Sequence, residues 1–288
     1  MTILTFTCET ITPMFLAGAD GVTPELRAPS IKGALRFWWR ALNGHLSLDD
    51  LRKKEGELFG GAGDKAANRS QLIIQVPFEK VSVDAQSPLV PHKGMFQKAI
   101  STRETFEVRL MFRDGALKDK FRALFVLTCL LGGFGKRVRR GMGSVRILQE
   151  NDQDFTMPET LDDLFKHIEV LSNHFAIKPS GIYNNFSGRM GLYPWVQQIE
   201  IGKNNRGDLL KHISQKTHEF KFNKDNQYSY EPSLGHAFKG RFASPIYTST
   251  LLVQGRLMPV ITTLNTVPDR SQRDIDPVLQ QEFRKSIL

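Results

Sequence analysis

Alternating and periodic apolar positions divide the first half of the chain into four predicted strands and two predicted helices. Apolar residues recur at every second position in the strands, which are predicted at residues 2–8, 72–78, 106–112 and 145–147. Helical spacing follows Ser30, a predicted N-cap, and ends near Asn43. A second, strongly apolar helix covers residues 117–131. The resulting order, βαββαβ, is the ferredoxin-like pattern.

The second half of the chain is less regular but contains elements of the same kinds. Periodicity predicts helices at residues 161–174, 208–220 and 276–288, and strands at 195–201, 247–253 and 256–263. The chain is therefore predicted to have an α+β fold, and the second half could be a second, decorated ferredoxin-like unit, which would give tandem ferredoxin-like (RRM-like) βαββαβ domains with insertions. A polar stretch that ends at Pro158 favours a division into domains of residues 1–152 and 153–288.

Charge and cysteine content narrow the class of partner. The chain has 39 Lys and Arg against 30 Asp and Glu, a net charge of +9, which favours a polyanion such as nucleic acid. Its two cysteines fit neither a disulfide framework nor a zinc site. No apolar run reaches the roughly 20 residues that span a bilayer, and the N-terminus lacks a signal-peptide pattern. We expect a cytoplasmic protein without a metal, a cofactor or a membrane partner.

The strongest candidate for chemistry is a glycine-rich basic loop at residues 132–144, which follows the apolar helix. It contains five glycines, four basic residues and no acid. Glycine lets a backbone approach a ligand, backbone N–H groups can converge on an anion, and arginine matches phosphate oxygens. The predicted phosphate-binding residues are Gly132, Gly133, Gly135, Lys136, Arg137, Arg139, Arg140, Gly141, Gly143 and Ser144. The alternative is a tight turn with solvated charges.

Two further basic clusters could extend this surface. Lys32, Arg36 and Arg40 are four residues apart, so they form one stripe on the first helix, and Trp39 beside them could stack on a base. The alternative is a solvated helix face with buried tryptophans. Arg241, in the segment 240–245, could either contact RNA or help to end a strand.

Two residues are candidates for RNA cleavage. Asp20 lies in a glycine-containing loop and could hold a divalent ion or orient a ribose hydroxyl, although such a residue more often caps a turn. His45 lies near a helix end and could act as a general base.

Several of these segments together resemble the RAMP superfamily of CRISPR effector proteins. The loop at 132–145 is similar to the glycine-rich loop of that superfamily, and residues 11–15, 18–20, 25–40, 57–60 and 241–245 are similar to the first-numbered subunit of the type III-B (Cmr) module. The resemblance implies a non-catalytic RNA-binding subunit of an RNA-guided effector, acting in antiviral defence. It implies contact with target RNA and guide RNA near the guide 3′ end, and with other RAMP subunits, but no small-molecule substrate.

The sequence departs from ordinary RRM domains at one motif. Residues 140–147 begin like an RNP1 motif, but Met142, Ser144 and Ile147 replace its stacking aromatics. We therefore expect loop and helix contacts to phosphate rather than base stacking on the sheet. Two other functions stay open: an RNA endonuclease that uses Asp20 or His45, and an assembly adaptor whose basic loop docks on an acidic neighbour.

Overall fold

The structure is a computed structural model that describes residues 1–62, 67–77, 81–188, 190–203, 207–221, 232–235, 242–265 and 275–288. Two five-stranded antiparallel sheets, one from each half of the chain, account for most of the strands in these residues. Two short hairpins stand apart from the sheets.

The first half contains nine strands and three α-helices within the described residues. They are β1 (Thr2–Thr10), α1 (Ala28–Leu42), α2 (Leu48–Phe59), β2 (Gly61–Ala62), β3 (Ala67–Asn68), β4 (Leu72–Gln75), β5 (Val83–Val90), β6 (Met95–Ile100), β7 (Thr105–Phe112), α3 (Lys118–Leu131), β8 (Val145–Glu150) and β9 (Gln153–Asp154).

The first sheet has the strand order β4-β7-β1-β8-β9 with every pairing antiparallel. Counting β1, β4, β7 and β8 as the four strands of a βαββαβ unit, this is the ferredoxin-like order, so the prediction for this half is confirmed. The pleat explains which residues are buried: Leu4, Phe6 and Cys8 alternate with more exposed neighbours and pair with Leu110, Val108 and Phe106.

Three features of the first half differ from the sequence prediction. Helix α1 begins at Ala28 rather than after Ser30, because Pro29 fits its first turn. Helix α2 was not predicted; the Ser47 hydroxyl caps it by accepting a hydrogen bond from the Asp50 N–H at 3.1 Å. The β5–β6 hairpin was not predicted either, since its strands lack a regular apolar alternation.

The second half contains α4 (Leu161–Leu171), β10 (Phe175–Lys178), β11 (Gly181–Asn184), β12 (Val196–Ile201), α5 (Leu209–Glu219), β13 (Ile246–Val253), β14 (Arg256–Leu264) and α6 (Pro277–Ile287). Its sheet has the order β10-β11-β12-β14-β13. The segment from β12 to α6 has the element order βαββα, which is that of the first five elements of a ferredoxin-like unit. Strand β11 precedes this segment in the chain but lies in the sheet where the fourth strand of the unit would lie. The second half is therefore ferredoxin-like with a permuted strand.

The two sheets share one hydrophobic core, with α3 between them. This helix contacts β1 and β8 on one side and β13 and β14 on the other. Such a position explains why α3 is apolar around most of its circumference. The core is continuous across both halves, so the domain division at residue 152 stays a prediction. In the described residues, no helix is both long and apolar enough to cross a bilayer.

Candidate nucleic-acid interface

The glycine-rich loop leaves α3 and folds back on itself, so that its two ends cross. The Phe134 N–H donates to the Gly143 carbonyl oxygen at 2.9 Å. Gly133 and Gly143 both have positive φ, at 74° and 68°, and a β-carbon on either would overlap a backbone carbonyl of the other end. Glycine at these two positions is therefore a requirement of the crossing itself.

The predicted cradle of backbone N–H groups is wrong for most of the loop, because those groups already donate within the protein. The Lys136 N–H donates to Phe15 O at 2.8 Å, the Gly141 N–H to Thr248 O at 2.6 Å, and the Gly143 N–H to Pro13 O at 2.9 Å. Gly132, Gly133, Gly141 and Gly143 are buried. These four glycines let the loop close on itself, and they do not serve the predicted role of bringing the backbone close to a phosphate.

Two more predicted phosphate ligands are buried and serve the fold. The Ser144 hydroxyl accepts a hydrogen bond from the Thr250 N–H at 3.0 Å. Arg140 is 9% exposed, and its Nη1 donates to Arg139 O at 2.6 Å and Ile246 O at 3.3 Å. Burial, with smaller contributions from Arg137 and Arg139, lowers the Arg140 pKa to about 9. Arg140 therefore fastens the loop to β13, and we correct its assignment as a phosphate ligand.

Three basic side chains of the loop remain directed outward. A short 3₁₀ turn, Val138–Arg140, follows Arg137, which adopts a left-handed conformation with φ of 60°. Lys136 is exposed, while Arg137 and Arg139 are half-buried. The Arg139 guanidinium lies over the Tyr247 ring at 4.4 Å from the ring centroid, which orients it without removing its charge.

These side chains line one wall of a cleft of about 760 Å³. The opposite wall comes from distant segments: a 3₁₀ turn, Pro91–Lys93, and the last two turns of α5 with Lys221 beyond them. We call this the basic cleft. Among the described residues that line it none is acidic; its charged or titratable members are His92, Lys93, Lys136, Arg137, Arg139, Arg140, His218 and Lys221.

Burial, and after it the neighbouring positive charges, lowers the pKa of two members of the basic cleft. Burial, followed by the charges of Arg140 and Arg137, lowers the Lys221 pKa to about 7. The pKa of His92 is also lowered, by burial and then by His218, Lys93 and Arg137. His92 Nδ1 lies 2.7 Å from the Ser214 hydroxyl oxygen, and the His92 and His218 ring centroids are 4.9 Å apart. The cleft therefore gathers basic groups whose charged forms are disfavoured in the free protein.

The predicted stripe on α1 is occupied by internal contacts. Arg36 Nε and Arg40 Nη1 lie 2.7 and 2.8 Å from the same oxygen of Glu55, a buried carboxylate on α2. Lys32 Nζ donates to the Ser70 hydroxyl at 2.8 Å. These three residues hold α2 and the segment before β4 against α1, and none of them lines the basic cleft. The prediction that they extend an RNA track is therefore corrected.

The prediction that Trp39 stacks on a base is also wrong for this structure. The Trp39 side chain is 7% exposed and packs edge-on against Phe59, with ring centroids 6.4 Å apart. A base needs an open ring face, which Trp39 does not offer. Arg241 lies outside the described residues, so its predicted contact with RNA stays a prediction.

The two candidates for RNA cleavage lie in different surroundings. Asp20 accepts hydrogen bonds from the Val22 and Thr23 N–H groups at 2.9 Å each and from the Thr23 hydroxyl. These bonds lower the Asp20 pKa to about 2, with the hydroxyl contributing most. They form the turn cap that was the alternative interpretation. His45 stacks near His174, at 4.2 Å between ring centroids, and burial lowers its pKa.

Comparison with known proteins connects this geometry to a family. The model of the RAMP superfamily matches residues 7–146, which include β1, α1, α3 and the glycine-rich loop. The CRISPR system Cmr subunit Cmr1-2 of Pyrococcus furiosus is 29% identical over 174 residues, which cover 49% of this chain and 93% of that protein. Residues 7–146 therefore belong to the RAMP superfamily. The resemblance to a first-numbered Cmr subunit, expected from the sequence, is confirmed.

One further curated relative and two solved structures are similar to this chain, and the structures extend the likeness to its whole length. Cmr1-1 of the same organism is 30% identical over 170 residues, which cover 49% of this chain but only 44% of Cmr1-1. The crystal structure of apo Cmr1 from Pyrococcus furiosus matches all of the chain and 96% of that chain, with a TM-score of 0.63 and 18% identity. A chain of the type III-B Cmr-beta complex bound to cognate target RNA matches with a TM-score of 0.57 and 10% identity, covering 99% of both chains. At these identities the structures show a common fold.

The wall of the basic cleft opposite the glycine-rich loop, called the far wall below, could not be recognised from the sequence. His92, Lys93, His218 and Lys221 are separated from the loop by about 40 to 80 residues, and none belongs to a recognisable motif. The overall charge of +9 was the only signal that further cations accompany the loop. Only the packing of α5 and the Pro91–Lys93 turn beside the loop brings them together.

Proposed function

We propose that this chain is a non-catalytic RNA-binding subunit of a type III-B CRISPR effector complex. In this proposal the basic cleft holds RNA phosphates, with Lys136, Arg137 and Arg139 as ligands on the loop side and Gly135 providing room beside them. The partners are target RNA, guide RNA near its 3′ end and other RAMP subunits, and the site of action is the cytoplasm. The Cmr-beta structure with target RNA, which has the same fold, supports this assignment.

The observation that carries the proposal is the composition of the basic cleft. Six Lys and Arg side chains and two histidines meet around one opening, and no described residue that lines it supplies a compensating carboxylate. Like charges at this density repel one another, so such a site is stabilised when an anion enters. A phosphate backbone is an anion that arginine and lysine recognise without reading sequence.

The surroundings of Asp20 favour binding over cleavage. Both Asp20 carboxylate oxygens hold its own turn together. In the described part of the chain, no group of three or more His, Cys, Asp or Glu side chains is arranged to hold a metal ion. We therefore assign no catalytic residue and propose that sequence choice comes from pairing between guide and target.

The test is RNA affinity after charge reversal on the loop side of the cleft. The variant Lys136→Glu, Arg137→Glu, Arg139→Glu should bind a single-stranded RNA oligonucleotide at least ~100-fold more weakly in fluorescence anisotropy, since each phosphate contact with a charged donor contributes roughly 1.5–3 kcal/mol. The slope of log affinity against log salt should fall by about 2, since each contact on a single strand contributes about 0.7.

A matched control reverses three exposed cations at the other end of α3, namely Arg113, Lys118 and Lys120. They are separated from the loop by the length of the helix, about 20 Å at 1.5 Å per residue. The control should bind RNA nearly as well as the unaltered protein. Equal affinities for the two triple variants would contradict the proposal. If the loop variant kept its RNA affinity but no longer entered the complex, the loop would be an assembly adaptor instead.

A further inference from the structure

The far wall of the basic cleft contains the feature that leads beyond the proposed function. Lys221 directly follows α5 and its flanking residue Phe220, and it is mostly buried beside the glycine-rich loop. The groups that face the same opening are Lys136, Arg137, Arg139 and Arg140 from the loop, His92 and Lys93 from the Pro91–Lys93 turn, and His218 from α5 itself. Among the residues that the structure describes, every charged or titratable group that lines this opening is basic.

An ammonium group in these surroundings is unfavourable until an anion arrives. Burial removes part of its hydration, and Arg137 and Arg140 repel its charge, so the Lys221 pKa falls to about 7 in the free protein. An entering phosphate reverses both effects, because it adds negative charge and accepts a hydrogen bond from the ammonium. The protonated form of Lys221 is therefore the form that the bound anion selects.

We propose that RNA binding in the basic cleft is coupled to proton uptake by Lys221, which contacts a phosphate from the wall opposite the loop. This inference rests on the proposed function and adds a ligand from the second half of the chain. It makes the phosphate a bridge between the two halves, with the loop on one side and the end of α5 on the other.

His92 extends the same wall. Its Nδ1 is held at 2.7 Å from the Ser214 hydroxyl oxygen, and its Nε2 has no hydrogen-bond partner within the part of the chain that the structure describes. Burial, followed by repulsion from His218, Lys93 and Arg137, lowers the pKa of the His92 imidazole from its ordinary value. His92 becomes protonated only at lower pH, so the proton uptake measured near pH 8.5 reports mainly on Lys221.

The test is calorimetric titration of the full chain with a short single-stranded RNA in buffers of different ionisation enthalpy, near pH 8.5. The dependence of the measured heat on the buffer counts the protons taken up. The unaltered protein should take up close to one proton per RNA bound, and its affinity should fall as pH rises above about 7.

Two substitutions separate charge from proton uptake. Lys221→Arg keeps a charge on a group whose ordinary pKa is far above that of lysine, so it should retain affinity and lose most of the uptake. Lys221→Gln should weaken binding roughly ten-fold near pH 6, where the unaltered lysine is charged, and by less near pH 9. Circular dichroism of both variants confirms that they fold, and the proton count of the unaltered protein depends on no variant.

The outcomes distinguish this inference from the proposed function. Salt-sensitive RNA binding that is lost on charge reversal of the loop, but shows no proton uptake, would overturn the role of Lys221 alone. Proton uptake that persists undiminished in Lys221→Arg would likewise overturn the role of Lys221 alone. A chain that binds no RNA at any pH would overturn both.

Discussion

Gly143 offers a test of why the loop is rich in glycine. Alanine at this position would hold a β-carbon at a φ of 68° and overlap the Phe134 carbonyl oxygen. The left-handed backbone costs about 1 kcal/mol for a residue with a β-carbon. Moving Phe134 also breaks the bond from its N–H to Gly143 O, and an unsatisfied buried donor costs roughly 1–3 kcal/mol. Gly143→Ala should therefore lower the free energy of unfolding by roughly 2–4 kcal/mol.

Gly255, in the turn between β13 and β14, is the matched control. It has a φ of 76°, but nothing lies within 4 Å of the position of a β-carbon. Gly255→Ala should cost only the left-handed backbone, about 1 kcal/mol, and both variants gain equally from a less flexible unfolded chain. Urea unfolding with an unchanged slope measures the difference. Equal midpoints for the two variants would show that the loop does not need glycine for its crossing.

Three further predictions concern the charged and polar contacts around the loop and α1. Glu55→Gln should destabilise the fold by about 2 kcal/mol in urea unfolding, because Arg36 and Arg40 lose their shared charged partner. Its RNA affinity should stay unchanged, and a variant as stable as the original would contradict the pairing. Thr12→Val should cost roughly 2 kcal/mol, since its hydroxyl both donates to Gly141 O and accepts from the Ser144 N–H; no loss on urea unfolding would refute this. Lys221→Met should stabilise the free protein by about 3 kcal/mol near pH 6 and hardly at all near pH 11. The reason is that a lysine whose folded pKa lies below its unfolded value makes stability rise as pH increases from about 7 to 10.5, and methionine removes this dependence. A gain in melting temperature that does not depend on pH would be evidence against the low pKa.

The first half of the fold was predictable because its signals are local. Alternating positions in Thr2–Thr10 and Thr105–Phe112 read directly as half-buried strands, and the continuous apolar character of Lys118–Leu131 reads as a buried helix. Helix α2 was harder to predict, because only three of its twelve residues are buried and one of those is Glu55. Its sequence therefore looks like a polar connection.

The candidate site was predictable only in part. The glycine-rich segment was found from its composition. That composition does not distinguish residues that close the backbone of the loop from residues that line the cleft. Gly133 and Gly143 close the backbone, whereas Lys136 and Arg139 line an opening. The permuted strand β11 and the contact between the loop and Lys221 depend on tertiary packing, to which no local pattern corresponds.

The same limit explains the errors on α1. Arg36 and Arg40 form a stripe at helical spacing, as predicted, but their partner Glu55 lies on the next helix. A basic stripe seen in one helix is indistinguishable from an RNA-binding surface until its neighbours are known. The burial of Trp39 against Phe59 has the same cause.

Crosslinking of RNA to the chain within an assembled effector complex tests the central claim most directly. Ultraviolet irradiation followed by mass spectrometry of the peptides identifies the residues next to RNA. We predict crosslinks in the peptides that contain Lys136–Arg139 and Lys221, which lie on opposite walls of the basic cleft. Crosslinks confined to other surfaces, with both of these peptides unmodified, would contradict the assignment of the cleft to RNA.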